Sequence, residues 1–395
     1  HVFLLVTRDM GVTWYGVEIY DNPGGLQLWA SGTGEKGQLG QGNTTQRSSP
    51  VQIGSAATWN PIAIRASELD CLMNTKTDGS LWGWGTNESG QLGLNQNNIR
   101  FSSPVQISGT TWKEGQIAYA ALVSKTDGTL WAWGNSAYGI IGQNDLVSYS
   151  SPCQIPGTTW ANVLGGTNAG YMSAVTKTDG TLWMWGDNRY GQLGINNLTE
   201  YSSPVQVGTD TTWATTGSDT MSGRAYGISA IKANGTLWSW GENYYGGAGT
   251  NLPHGDAARR SSPVQVGTDT TWRSINCGNN GATIATKTNG TLWQWGYNAQ
   301  GQLGLNDKTN RSSPTQIGTG TDWSSYVSST GSSSGGVKTD GTLWVWGINS
   351  LGQLGQNESP GNASTGVYSS PVQISGTTWN SLDFGGDGAA LYVRS

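Results

Sequence analysis

A Leu-Trp dipeptide returns seven times along the chain, beginning at Leu28, Leu81, Leu130, Leu182, Leu237, Leu292 and Leu343. The steps between copies are 53, 49, 52, 55, 55 and 51 residues. So regular a period marks stacked copies of one supersecondary unit, none of which buries its apolar face alone. The fullest copy reads Lys177-Thr-Asp-Gly-Thr-Leu-Trp-Met-Trp-Gly186, followed by Asp187-Asn-Arg-Tyr-Gly-Gln-Leu-Gly194. Asp-Gly between alternating apolar runs predicts a two-residue hairpin turn with both residues at positive φ.

Each unit offers four strands, A to D. Strand A follows a recurrent Thr-Trp, as at Trp160-Ala-Asn-Val-Leu164, and strand B is the run before the turn, as at Met172-Ser-Ala-Val-Thr176. Strand C is Leu-Trp-x-Trp, and strand D is Ser-Pro-Val-Gln-Ile or close to it. Four short strands per period, with turn residues between them and no helical periodicity of useful length, describe a propeller blade. Twenty of the 21 Trp fall in register: seven in Leu-Trp, six two residues later, seven opening strand A, with Trp14 left over. Aromatics placed by repeat register are packing elements between blades.

Counting strands also predicts how the ring closes. The last A/B pair, from Trp379 to Ser395, has no C/D pair after it, and the first C/D pair, Leu28 to Ile53, has no complete A/B pair before it. The two ends are therefore expected to share one blade, which removes the open sheet edges. Residues 28–395 form the propeller and residues 1–27 a lead-in arm or an extra edge strand.

The pattern Asp-Gly-x-Leu-Trp-x-Trp-Gly-x-Asn-x-x-Gly-Gln-Leu-Gly resembles the repeat of the regulator of chromosome condensation family. The resemblance covers residues 28–395 and implies an all-β fold, a seven-bladed β-propeller of four-stranded blades. The versions Ser-Ser-Pro-Val-Gln-Ile and Gly-Thr-Thr-Trp look like repeats of bacterial and bacteriophage proteins. Departures from the pattern stand at Ser31, where the second Trp belongs, at Gly139-Ile-Ile-Gly142 and at Gly246-Gly-Ala-Gly249. The His that the family places before strand B is missing from every unit. Family members include a nucleotide-exchange factor that binds chromatin, an ultraviolet sensor built on Gly-Trp-Arg-His-Thr repeats absent here, and a secreted inhibitor of a β-lactamase. Fold alone does not choose among them.

Composition excludes several classes. Charged residues are 11% of the chain and the net charge is −5, so neither nucleic acid nor an anionic membrane is the expected partner. No apolar run approaches the ~18 residues a membrane helix needs, which argues against membrane insertion. Cys71, Cys153 and Cys277 occupy unrelated repeat positions, with no zinc-type or disulfide spacing. General-base chemistry would rest on His254, in Asn251-Leu-Pro-His-Gly-Asp256, and the Asp residues of Lys-Thr-Asp-Gly are turn residues. No catalytic, metal or cofactor site is expected, and no enzyme.

Variation between copies points to function instead. In an up-and-down blade the A–B and C–D connections share one face, and the B–C and D–A turns share the other. The latter are uniform and short. The C–D connectors vary, reaching 11 residues at Thr250–Arg260 and 13 at Gln356–Tyr368. Just before a near-constant Gly, one connector position reads Lys36, Ser89, Tyr138, Tyr190, Tyr245, Gln300 and Leu351. Units three to five place Tyr there, beside the loop that holds His254, Arg259 and Arg260. Tyr and Arg are the residues most enriched at binding hot spots. The expected recognition surface is Tyr138, Tyr190, Tyr244, Tyr245, His254, Arg259 and Arg260. The expectation is a rigid binding or assembly module for a protein or glycan partner, free-standing or as part of a larger assembly. Its expected address is the cell surface, the extracellular space or a phage virion. The alternative is a secreted inhibitor or regulator of one enzyme.

Overall fold

A computed structural model describes residues 2–7, 14–19, 26–55, 58–61, 64–66, 71–164, 171–216, 219–224, 226–243, 245–251, 259–278, 281–357, 366–384 and 389–394. The repeated hairpin differs from expectation at its turn. In the copy Lys125-Thr-Asp-Gly-Thr129, Gly128 N donates to Lys125 O and Lys125 N donates to Thr129 O. Gly128 sits at φ 79, whereas Asp127 is not at positive φ. The loop is thus three residues, a type I turn closed by a left-handed glycine, rather than a two-residue turn. The carboxylate explains the choice. Asp127 Oδ1 accepts from Thr129 N (2.9 Å) and from Thr129 Oγ1 (2.7 Å), and the same hydroxyl accepts from Trp131 Nε1 (2.9 Å). Asn234 and Asn289 build the same relay in their copies.

Seven antiparallel sheets follow in chain order, numbered by the unit supplying their C and D strands. Blade 2 pairs Cys71–Thr75, Leu81–Asn87 and Ile99–Ile107, with Trp59 bridged to Lys76 at its inner edge. Blade 3 is Trp112–Ile117, Ala120–Lys125, Leu130–Gly134 and Tyr149–Ile155, and Ile64–Ala66 runs parallel to its A strand. Blade 4 is Trp160–Leu164, Met172–Lys177, Leu182–Gly186 and Tyr201–Gln206. Blade 5 is Met221–Arg224, Gly227–Ile231, Leu237–Gly241 and Arg260–Gln265. Blade 6 is Trp272–Cys277, Thr283–Lys287, Leu292–Gly296 and Arg311–Gln316. Blade 7 is Trp323–Ser329, Ser333–Lys338, Leu343–Ile348 and Val367–Ile374. Blade 1 takes Trp379–Phe384 and Ala389–Arg394 from the end of the chain, and Gln27–Gly32 and Arg47–Gln52 from its beginning. The register Leu28↔Val393 and Trp29↔Tyr392 makes the expected seam. Val2–Thr7 and Trp14–Ile19 form a separate antiparallel hairpin.

Two sets of hydrogen bonds tie neighbouring blades. The second Trp of strand C is buried and donates to a carbonyl of the preceding connector. Trp84 reaches Gln38 O (2.8 Å), Trp133 reaches Gln91 O (2.8 Å) and Trp240 reaches Gln192 O (2.9 Å). Farther out, connector amides donate to the next D strand, from Asn95 N to Ser150 O (2.7 Å) round to Asn357 N to Ser48 O (2.8 Å). Gly93 shows how tight the inner latch is. It sits at φ +66, and a Cβ there would lie 2.7 Å from Trp133 Nε1. Blade 1 lacks that indole because Ser31 stands in its place. The gap is filled from the other end of the chain. Fully buried Tyr392 donates to Gln353 O (3.0 Å) and bonds Ser31 Oγ (3.0 Å).

The first Trp of strand C is half-buried and faces the A-strand Trp, with a strand B cation between them. Lys177 Nζ lies 4.7 Å from the Trp160 ring centroid and 3.9 Å from that of Trp183. The same clamp recurs at Lys76, Lys125, Lys232, Lys287 and Lys338, and Arg394 holds the place in blade 1. Each such contact contributes ~0.5–2 kcal/mol according to its desolvation. The clamp indoles thus tie strands A to C within each blade, while the buried second indole ties one blade to the next.

Candidate functional site

Strand order within the sheets puts A–B loops and C–D connectors on one face, and contacts between neighbouring blades confirm it. The residue before strand B is Tyr119 in blade 3, Tyr171 in blade 4 and Tyr226 in blade 5. Each blade's connector tyrosine rests on the next blade's lead-in. Tyr138 meets Tyr171 with ring centroids 5.1 Å apart, and Tyr190 stacks on Tyr226 at 4.4 Å. Tyr119 in turn stacks on Tyr171 at 5.3 Å. In blade 6 the lead-in is Gly281, which passes beside the Tyr245 side chain, and Tyr245 leans on Tyr297 at 4.6 Å.

Two arginines join the rings. Arg189 lies 4.5 Å above Tyr138, and Arg259 lies 4.4 Å above Tyr190. A fully buried carboxylate clamps Arg189 from below, since Asp187 Oδ1 accepts from Arg189 Nε (3.0 Å) and Oδ2 from Nη2 (2.9 Å). That pairing pushes the guanidinium further up from its ordinary value. Burial first, and neighbouring phenols second, raise the pKa of Tyr171 and Tyr226, so both remain hydrogen-bond donors at neutral pH. Buried Arg224, two residues before Tyr226, anchors the lead-in of blade 5. It donates to Ser229 Oγ (3.1 Å), Ser239 Oγ (3.0 Å) and Glu242 O (3.2 Å).

The result is a ladder of half-buried tyrosines with exposed guanidinium groups across blades 3 to 6. Such rings offer contact area while their rotamers are already fixed, so little entropy is lost on binding. Exposed apolar side chains stand on the same connectors, with Leu146 69%, Val147 55% and Leu198 60% accessible. Of the residues expected from the sequence, Tyr138, Tyr190, Tyr245 and Arg259 belong to the ladder. Arg260 opens the D strand of blade 5 and donates to Arg259 O (2.9 Å). Tyr244 and His254 lie outside the described residues. Sequence reasoning missed Tyr119, Tyr171, Tyr226 and Arg189. The signal was available, because the residue before strand B reads Tyr in the same three units as the connector position.

Among the described residues no group of three or more His, Cys, Asp or Glu could hold a metal. Cys71 and Cys277 are buried, Cys153 is partly so, and all three are free thiols. No helix is long and apolar enough to cross a membrane.

Seven blades, a strand-sharing seam and an indole latch at the junctions define the class to which this chain is assigned. The family model described as RCC1-like domain matches residues 27–390, and the chain belongs to that family. It is similar to the ultraviolet-B receptor UVR8 of Arabidopsis thaliana, 27% identical over 83% of this chain and 74% of the relative. It is also similar to RUG3 of the same plant, a mitochondrial RCC1 domain-containing protein, 28% identical over 90% of this chain and 84% of the relative. Among solved structures, human WBSCR16 superposes with a TM-score of 0.77 at 17% identity, covering 94% of this chain and 99% of that one. Prp20p from Saccharomyces cerevisiae gives 0.77 at 18% identity, covering 94% and 91%.

These findings correct the expected address. The two relatives named above are plant proteins, one of them named as mitochondrial, which overturns a location outside the cell or on a phage particle. The bacterial and phage likeness of the repeat wording finds no support among them either. The recurrent Asn of the connectors has a structural cause. Asn95, Asn144, Asn196, Asn251, Asn306 and Asn357 all sit at positive φ in the connectors, where Asn or Gly costs least.

Proposed function

We propose that this propeller is a protein-binding module whose partner docks on the face carrying the Tyr–Arg ladder of blades 3 to 6. The observation that carries the reading is the stacked series Tyr119–Tyr171–Tyr138 and Tyr226–Tyr190, capped by Arg189 and Arg259. The inner Trp of strand C, which serves the blade junctions, is closed over in blades 2 to 7. The ladder rings stay half exposed and carry the residue types of binding hot spots. Prp20p, which shares the fold, is described by its binding properties to Gsp1p and histones, and it supports a protein partner. A regulator of one enzyme would use the same face, with that enzyme as the docked protein.

The test is proximity labelling in cells with the wild-type chain, followed by affinity measurement on the purified partner. The variant carries Tyr190→Ala, Tyr245→Ala and Arg259→Ala together. Truncating one hot-spot residue costs ~2 kcal/mol, about 30-fold, so the triple variant is expected to bind at least 100-fold more weakly. Unchanged affinity with unchanged thermal stability would reject this face.

A further inference from the structure

Every blade holds a cation between two indoles, yet the blades differ in what faces that cation. In blades 5, 6 and 7 the D–A turn supplies a carboxylate. Asp210 pairs with Lys232, Asp269 with Lys287, and Asp322 with Lys338 at 3.1 Å. In blades 3, 4 and 1 the turn is one residue shorter, reading Ser108-Gly-Thr-Thr111, Pro156-Gly-Thr-Thr159 and Ser375-Gly-Thr-Thr378, and holds no acid. The blade 2 turn, residues 54–58, holds none either. Lys125 and Lys177 nevertheless keep the same clamp, with Lys125 4.5 Å from both its ring centroids. Among the described residues no carboxylate reaches ion-pair distance of Lys125, Lys177 or Arg394. The acids nearest in sequence, Asp127 and Asp179, give Oδ1 to the turn threonines. Those bonds, helped to a lesser degree by the Lys125 and Lys177 charges, hold the two carboxyls below the ordinary value, but they form no ion pair with either lysine. Arg394 donates through Nε to Thr378 Oγ1 (2.8 Å). It borders a cavity of about 250 Å³ with Trp29, Pro50, Gly355 and Trp379. The equivalent position between blades 6 and 7 also forms a cavity, beside Lys338.

The chain therefore shows, in three of its own blades, that a carboxylate from the D–A turn pairs with this clamp, and the D–A turns of the other four blades hold no such group. We propose that the clamps of blades 3, 4 and 1, headed by Lys125, Lys177 and Arg394, take the carboxylates of an acidic segment on a partner protein. The clamp supplies a charge-assisted donor beside an indole wall, and the Arg394 fork suits a carboxylate. These clamps lie at the B–C and D–A turns, on the face opposite the tyrosine ladder, so the proposal stands or falls apart from that face.

The experiment titrates the full chain with an acetylated, amidated peptide of alternating Glu and Gly and follows tryptophan fluorescence. Trp131, Trp183 and Trp29 border the cations that lack an ion pair, so binding is expected as a saturable change in emission. Changing Lys125, Lys177 and Arg394 together to Gln should weaken binding at least tenfold. Asp210→Asn, which keeps these cations and uncovers Lys232, should strengthen it, and this arm decides the matter should the triple variant not fold. A peptide with Gln for Glu should not bind. Equal binding of the Gln peptide, equal affinity of inorganic phosphate, or no response to Asp210→Asn would overturn the proposal.

Discussion

Replacing Tyr392 with Phe removes one oxygen from the seam of the ring and leaves the packing of blade 1 in place. The hydroxyl is fully buried and donates to Gln353 O, the carbonyl position that an indole Nε1 serves at other junctions. Its loss leaves that carbonyl and the Ser31 hydroxyl without their shared partner, in a site closed to water. A buried polar group left unpaired costs ~1–3 kcal/mol, so about 2 kcal/mol is expected. For 395 residues at about 2.1 cal/mol/K each, the unfolding entropy is near 0.8 kcal/mol/K, which converts the loss to a fall in Tm of about 2–3 °C. Differential scanning calorimetry resolves that shift. Adding Ser31→Ala to Tyr392→Phe removes one of the two orphaned groups and should recover part of the loss. Hydrogen exchange should quicken first in Gln27–Gly32 and Ala389–Arg394, because the weakened junction belongs to them. A Tm within about 0.5 °C of wild type would refute the idea that this phenol replaces the missing indole.

Two further outcomes follow from the same geometry. Burial opposes ionisation of Asp269, but the Lys287 ammonium and the Thr271 hydroxyl outweigh it and hold the carboxyl at about 2. A depressed pKa contributes stability that is present above the ordinary value near 3.8 and lost as pH falls through 2. Because the carboxylate is 35% exposed, screening reduces that contribution to about 1 kcal/mol, and Asp269→Asn should flatten the stability profile between pH 4 and 2 by that amount. Gly93→Ala forces a Cβ to 2.7 Å from Trp133 Nε1 at φ +66, whereas Gly208→Ala, at φ +59, meets nothing within 4 Å. Denaturant unfolding should show a loss of ~1 kcal/mol at Gly208 and more than ~3 kcal/mol at Gly93; equal losses would mean that the indole latch yields.

The architecture was legible because the repeat encodes it locally. Leu-Trp sets the period, Asp-Gly or Asn-Gly marks the hairpins of blades 2 to 7, and counting A/B and C/D pairs located the shared blade. The turn type was not legible, since it follows from the Asp127 carboxylate satisfying Thr129 rather than from the dipeptide alone. The meaning of Ser31 was hidden for a different reason. Its compensation, Tyr392, lies 361 residues away in sequence, and only the folded ring brings the two together. The ladder was half visible. Variation among copies picked out Tyr138, Tyr190 and Tyr245, but the tyrosines they lean on belong to the next repeat. A unit-by-unit reading does not pair them.

The seam also dictates an order of assembly. Blades 2 to 7 each draw their sheets from contiguous stretches of polypeptide, apart from the Ile64–Ala66 strand, and can dock in turn as translation proceeds. Blade 1 must hold its outer pair, Gln27–Gly32 and Arg47–Gln52, half-made until Trp379–Arg394 has emerged from the ribosome. During that interval Leu28 and Ala30 lack the strand partners Val393 and Leu391, and the nascent chain is at its most vulnerable to proteases and to neighbours in the same state.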